Sequence, residues 1–221
     1  MLEKLQQQLN EIYRTDAGVD VREFLITDEA VAQCLSNNTM LEGVGETLLL
    51  KEEADGLAMS LYLERGVLDR LESSDAINDL QTNQLDDLCK VIEGLSHFNY
   101  MVWKAGQDRT VSLLELELQA EIDKFVSTMQ LARDQGDSDL LNGLYRRLFD
   151  RVTFRENLDE EQQERYRSAN EYAARFCRNL RNKLTQDGDR ALNELRAFYR
   201  LQLPEKISHI HSTAWTSTGS G

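Results

Sequence analysis

A single proline, Pro204, stands in this chain of 221 residues. Proline lacks an amide donor and its ring collides with the preceding turn, so its absence before residue 204 leaves long helices free to form. Glycine is sparse as well, at 12 residues, and the abundant Leu, Glu, Gln and Arg favour helix. The chain therefore reads as mostly helical, with 41% hydrophobic and 29% charged residues. That is material for one sizeable core, or for a small domain leaning on a larger one.

Apolar spacing then divides the chain. Leu2, Leu5, Leu9 and Ile12 recur at threes and fours, which predicts an opening helix of about 13 residues. Two heptads are too few for an independent coiled coil, so this helix must dock on its own domain or on a second copy. "VREFLIT" has the aromatic and β-branched character of a short strand, and Asp28 after it is placed to cap a helix through about Leu35.

Residues 46–64, "ETLLLKEEADGLAMSLYLE", predict an antiparallel hairpin turning on Asp55-Gly56, the dipeptide suited to two central residues at positive φ. Folding there pairs Leu50 with Leu61 and Leu48 with Leu63, with Leu57 and Met59 on the same face. Thr47, Lys51, Glu53, Ser60 and Tyr62 make the opposite, solvent-facing side. "VREFLIT" is a candidate third strand. Two strands alone are marginal in water, so helices should cover the apolar face.

A short helix around residues 66–71 and a polar connector, 75–84, close an α/β unit spanning 1–74. Beyond it the pattern is helical. Leu88, Val91, Ile92, Leu95, Phe98 and Val102 line a helix from Leu85 to Ala105. Leu114, Leu118, Ile122, Phe125 and Met129 line the next, while Leu113 and Leu116 point elsewhere, which makes that helix central. A shorter helix to about Phe149 follows, then one from the acidic "NLDEE" to Leu184, and a last one that Pro204 ends. The expected architecture is α+β and predominantly helical: a small N-terminal unit with an antiparallel β-hairpin, a bundle of about five helices over 85–203, and a C-terminal segment with a loose tail over 204–221.

Charge narrows the function classes. The net charge is −14, which disfavours nucleic acid as a direct partner because phosphate binding needs clustered Lys and Arg. Residues 1–139 carry 11 Lys and Arg against 28 Asp and Glu, a net of −17, whereas 140–221 carry 14 against 11, a net of +3. The plainer reading is an acidic surface that keeps the protein soluble; the alternative is attraction between the acidic and basic parts, within one fold or between two copies. Three scattered cysteines, Cys34, Cys89 and Cys177, fit a reducing compartment without disulfides or a Cys-based zinc site. With no signal-like N-terminus and no run of 18 apolar residues, the chain reads as a soluble cytoplasmic protein with no membrane partner.

No complete catalytic or cofactor motif is present: no P-loop, no G-x-G-x-x-G, no nucleophile elbow. Candidate chemistry rests on Glu93 and His97, four apart on one helix, and on Glu117 and Glu121 of the next, which an antiparallel packing would bring to the same level. Those four are the catalytic candidates, suited to acid/base work or a divalent metal. His209 and His211 complete the histidines. If extended, their segment would present both rings on one side, so His97, His209, His211 and Glu93 are the metal candidates. Each has a plainer reading as well: an i,i+4 contact for Glu93 with His97, glutamates paired with neighbouring cations, and a docked C-terminal segment. No cofactor is expected beyond that possible divalent metal. The leading expectation is a non-catalytic cytoplasmic protein that binds a protein partner or itself, or regulates one. The alternative is a metal-dependent hydrolase using the Glu/His cluster, and a weaker one is an acidic mimic of nucleic acid.

Overall fold

The computed structural model describes residues 1–15, 18–36, 45–53, 56–150 and 158–216. Within them lie nine α-helices and a three-stranded sheet. The helices are α1 (Leu2–Tyr13), α2 (Glu29–Leu35), α3 (Arg65–Ser73), α4 (Leu85–Ala105), α5 (Leu113–Asp134), α6 (Ser138–Tyr145), α7 (Glu160–Gln186), α8 (Gly188–Tyr199) and α9 (Leu203–Thr216). The strands are β1 (Leu25–Ile26), β2 (Glu46–Glu53) and β3 (Gly56–Leu63), in the order β1-β3-β2. The expected predominance of helix over a small sheet is what is seen. Among the described residues no helix is long and apolar enough to cross a membrane.

Three sequence expectations need correction. The sheet is mixed rather than a lone antiparallel hairpin, because β1 joins β3 in parallel. The hairpin register differs by two residues: Leu48 faces Leu61 and Leu50 faces Met59, and Glu53 stands opposite Gly56, which makes Gly56 the first residue of β3. Asp55 lies outside the described residues. A two-residue slip leaves every side chain on its expected face, since the strand period is two, but it brings Glu46 level with Leu63. Finally, the described residues hold nine helices, and the one the sequence did not announce is α9, which stands where a C-terminal segment and loose tail were expected. Pro204 sits in the first turn of α9, where a missing amide hydrogen costs nothing.

Both faces of the sheet are covered. Leu61 and Leu63 are fully buried against α4. The face expected to meet solvent is closed by α2, with Ala32, Leu49 and Tyr62 forming a second small cluster that Ile26 joins. Gly94 permits the close approach of sheet to α4. A Cβ there would stand 3.0 Å from Leu61 and 3.2 Å from Leu63.

One hydrophobic core takes in residues from Leu2 of α1 to Ile210 of α9. Segment 75–84 contributes Ala76 and Leu80 to it, and Gln135 bonds to that segment at Leu80 N (2.9 Å) and Ile77 O (2.9 Å). The helix starts carry their caps: Asp28 for α2, Ser112 for α5, Asp137 for α6 and Asp159 for α7 accept bonds from first-turn amides. The α1 C-terminus is closed from outside, where Arg196 and Arg200 donate to the carbonyls of Ile12 (2.9 Å) and Tyr13 (3.1 Å). Those cations suit the negative end of a helix. On α7, Arg167 pairs with Glu164 and Arg175 with Glu171 within the helix.

Candidate functional site

α5 explains why charge lies inside this protein. At 100° per residue, Glu115, Gln119 and Asp123 form one stripe, and Glu117, Glu121 and Lys124 form another on roughly the opposite side. Packing occurs on both sides, with α4 and α7 the main neighbours, so both stripes are enclosed. Isolated buried charges are costly, and the chain meets that cost with partners.

On the sheet side, His97 of α4 stands between two carboxylates from different elements. Its Nδ1 is 3.8 Å from Glu46 Oε2 of β2, and its Nε2 is 3.6 Å from Glu117 Oε2 of α5. Each of the three is 8% exposed. These separations exceed hydrogen-bond length, and among the described residues neither His97 Nε2 nor Glu46 Oε2 has a hydrogen-bond partner. Beside them Lys124 Nζ holds Glu93 Oε2 at 3.0 Å and Glu121 Oε1 at 2.7 Å. Burial would lower the His97 pKa, but the carboxylates of Glu117 and Glu46 outweigh it and hold the pKa well above the ordinary imidazole value. Burial raises the Glu46 pKa, with the charges of Glu93 and Glu117 adding to it and His97 opposing. The Glu121 pKa is also raised by burial, against Lys124. Tyr166 of α7 borders the cluster, and burial, with the charges of Glu117, Glu93 and Glu46, pushes its pKa up.

The other side of the α4–α5 pair holds a second polar layer. Asp123 accepts from Tyr13 Oη, from Ser96 Oγ at 2.6 Å and from Gln119 Nε2 at 2.9 Å. Burial nevertheless raises its pKa to about 6. Glu115 receives the Tyr100 hydroxyl at 2.5 Å and Lys104 Nζ at 2.7 Å. Lys206 of α9, fully buried, donates to Gln119 Oε1 at 2.8 Å. Its ammonium lies 4.7 Å from the Tyr100 ring centre and 4.9 Å from that of Phe198, within cation–π range. Burial drives the Lys206 pKa down to about 7, against the pull of Glu115.

The structure thus brings Glu93, His97, Glu117 and Glu121 together, as the antiparallel packing of α4 and α5 implied. His209 and His211 do not join them. Their segment is helical, so residues two apart diverge by about 200°. His209 Nε2 lies 3.7 Å from Glu194 and its ring rests on Phe176 and Phe198, while His211 meets Tyr172 edge-on. The three-histidine metal site is therefore not formed. Among the described residues no group of three or more His, Cys, Asp or Glu is arranged to hold a metal ion.

Glu46, Lys124, Ser96, Asp123 and Lys206 escaped sequence reasoning. The available signal was α5 itself: a helix with apolar residues on two sides has to bury some of the charges between them. Two larger concavities lie away from the histidine, a groove of about 620 Å³ along α1 and one of about 520 Å³ among α5, α6, α7 and α8. Comparisons with protein-family models, with curated proteins and with solved structures gave no match for this chain.

Proposed function

We propose that this is a non-catalytic cytoplasmic interaction or regulatory protein whose contact surface is the outer edge of β2, and that a second copy of the chain is the partner it takes. The observation that carries this reading is β2: eight residues long, last in the sheet order, with Leu50 45% exposed. An edge strand of that length offers a row of backbone donors and acceptors to another strand. On α2, which packs over the opposite face of the sheet from Leu50, Val31 and Leu35, one turn apart, are 47% and 46% exposed. Antiparallel pairing of two β2 strands about Leu49 would set Leu48 across from Leu50 of the second copy. The charge cluster is enclosed, with Lys124 paired to Glu93 and Glu121, which also favours a structural over a catalytic role.

Light scattering across a concentration series tests this. Wild type should self-associate, and Leu50→Lys should shift the midpoint at least tenfold upward while melting like wild type. A strictly monomeric wild type at high concentration would overturn it.

One observation favours a second reading, acid/base catalysis: the convergence of Glu46, His97 and Glu117. That reading needs a substrate to reach the ring. A hydrolase screen in which a hit is abolished by Glu117→Gln would establish it in place of the first.

A further inference from the structure

β2 meets the helices in two ways. Leu48 packs against the main core, whereas Glu46, the first residue of the strand, lays its Cβ over Gly94 and reaches His97 through charge. We propose that His97 is a proton-operated latch between β2 and the α4–α5 pair. With its proton on, the ring ties Glu46 to Glu117; with the proton off, the start of β2 comes away from the helices.

The arrangement of charge around the ring supports this. Glu46 faces it from β2, Glu93 lies one turn before it on α4, Glu117, Glu121 and Lys124 come from α5, and the Tyr166 phenol comes from α7. Lys124 is engaged by Glu93 and Glu121, which leaves the imidazolium to serve Glu46 and Glu117. Once the ring is neutral, those two carboxylates repel each other across it in a poorly solvated site, and Glu93 and Glu121 add to the repulsion.

Relief has to come from the element held least. Glu117 sits within α5, which is packed on both sides. Leu61 and Leu63 of β3 and the Cβ of Glu46 all pack around Gly94, but β3 is also bonded on both sides, to β1 and β2, whereas β2 is bonded to β3 alone among the described residues. Glu46 begins an edge strand, so β2 is the part that yields. The upward shift of the His97 pKa keeps the latch closed at neutral pH and opens it in the alkaline range. This inference goes beyond the docking reading and is tested on the free protein, so either can fail without the other.

The test follows the His97 ring by NMR and the amides of residues 46–50 by hydrogen exchange from pH 6 to 10, on the full chain, with intrinsic exchange rates divided out. For a latch, the β2 opening constant is flat below the His97 pKa of the open state, rises about tenfold per pH unit from there up to the closed-state His97 midpoint, and levels above it. The amides of Leu61 and Leu63 should show no such rise. His97→Gln should give an open β2 at every pH, with no slope. Glu46→Gln, which leaves His97 on Glu117 and the helical core intact, should also remove the slope and serves if His97→Gln does not fold. A flat wild-type profile through the His97 titration, or a slope surviving in Glu46→Gln, would overturn the latch.

Discussion

Glu46 stands opposite Leu63 in the sheet and places its carboxylate 3.8 Å from His97 Nδ1. One strand register therefore decides whether the buried imidazole has one carboxylate or two. That relationship gives His97 a defined effect on stability. Its folded pKa is raised, so the stabilisation is fully present below about pH 6.5 and is lost as the pH rises through the folded value. His97→Gln should cost about 3 kcal/mol at pH 6, the scale for breaking a buried pair. The gap should close as the pH rises through the folded His97 value. Urea denaturation at pH 6 and at a pH above the His97 midpoint, located by NMR, measures it, and an equal loss at both would contradict the assignment.

Lys206 works in the opposite direction. Its folded pKa is depressed to about 7, so above that value the folded state gives up a proton that the unfolded chain keeps until about pH 10.4. Stability gained at high pH is therefore lost progressively as the pH falls from about 10.4 to about 7, by up to about 1.4 kcal/mol per unit, and is constant below that. Lys206→Met keeps the volume without the charge. Subtracting its stability profile from that of wild type should isolate a term rising from pH 7 to 10, free of the His97 contribution.

Gly94 is expected to resist substitution. Alanine normally gains about 1 kcal/mol over glycine inside a helix. At this position the added Cβ would lie 3.0 Å from Leu61 and 3.2 Å from Leu63, both fully buried. Overpacking of about 1–3 kcal/mol should outweigh the gain. Gly94→Ala should lower the melting temperature and weaken hydrogen-exchange protection in β3, whereas a rise in melting temperature would show that the leucines can move.

The cysteines should separate cleanly. Cys34 is exposed and Cys177 buried, and burial pushes the Cys89 thiol up to about 12. Since thiolate is the reactive form, a maleimide at pH 7.5 should label Cys34 rapidly in the native protein. All three should react in urea. Fast native labelling of Cys89 would mean that its side of α4 opens.

Much of the fold was legible along the chain because it depends on local periodicity. Leu2, Leu5, Leu9 and Ile12 announce α1, Asp28 caps α2 where its position implied, and the apolar stripe from Leu88 to Val102 is the buried face of α4. The pairing of Glu93 and His97 with Glu117 and Glu121 followed from two helices with a short connection. Pro204 was misread because proline is equally at home after one helix and in the first turn of the next.

What lay beyond the sequence were relationships whose energies arise only when distant segments meet. Alternation assigned the leucines of β2 to a face, but a shift of two residues satisfies alternation equally well. Contact with α4 at Gly94 goes with the register that delivers Glu46 to His97. The composition likewise announced an acidic protein without saying which charges would be buried. Packing on both sides of α5 decided that, because Glu117 and Asp123 lie on faces that both meet other helices. Helical periodicity follows from the chain alone, whereas the protonation of His97 and Lys206 depends on what the fold places around them.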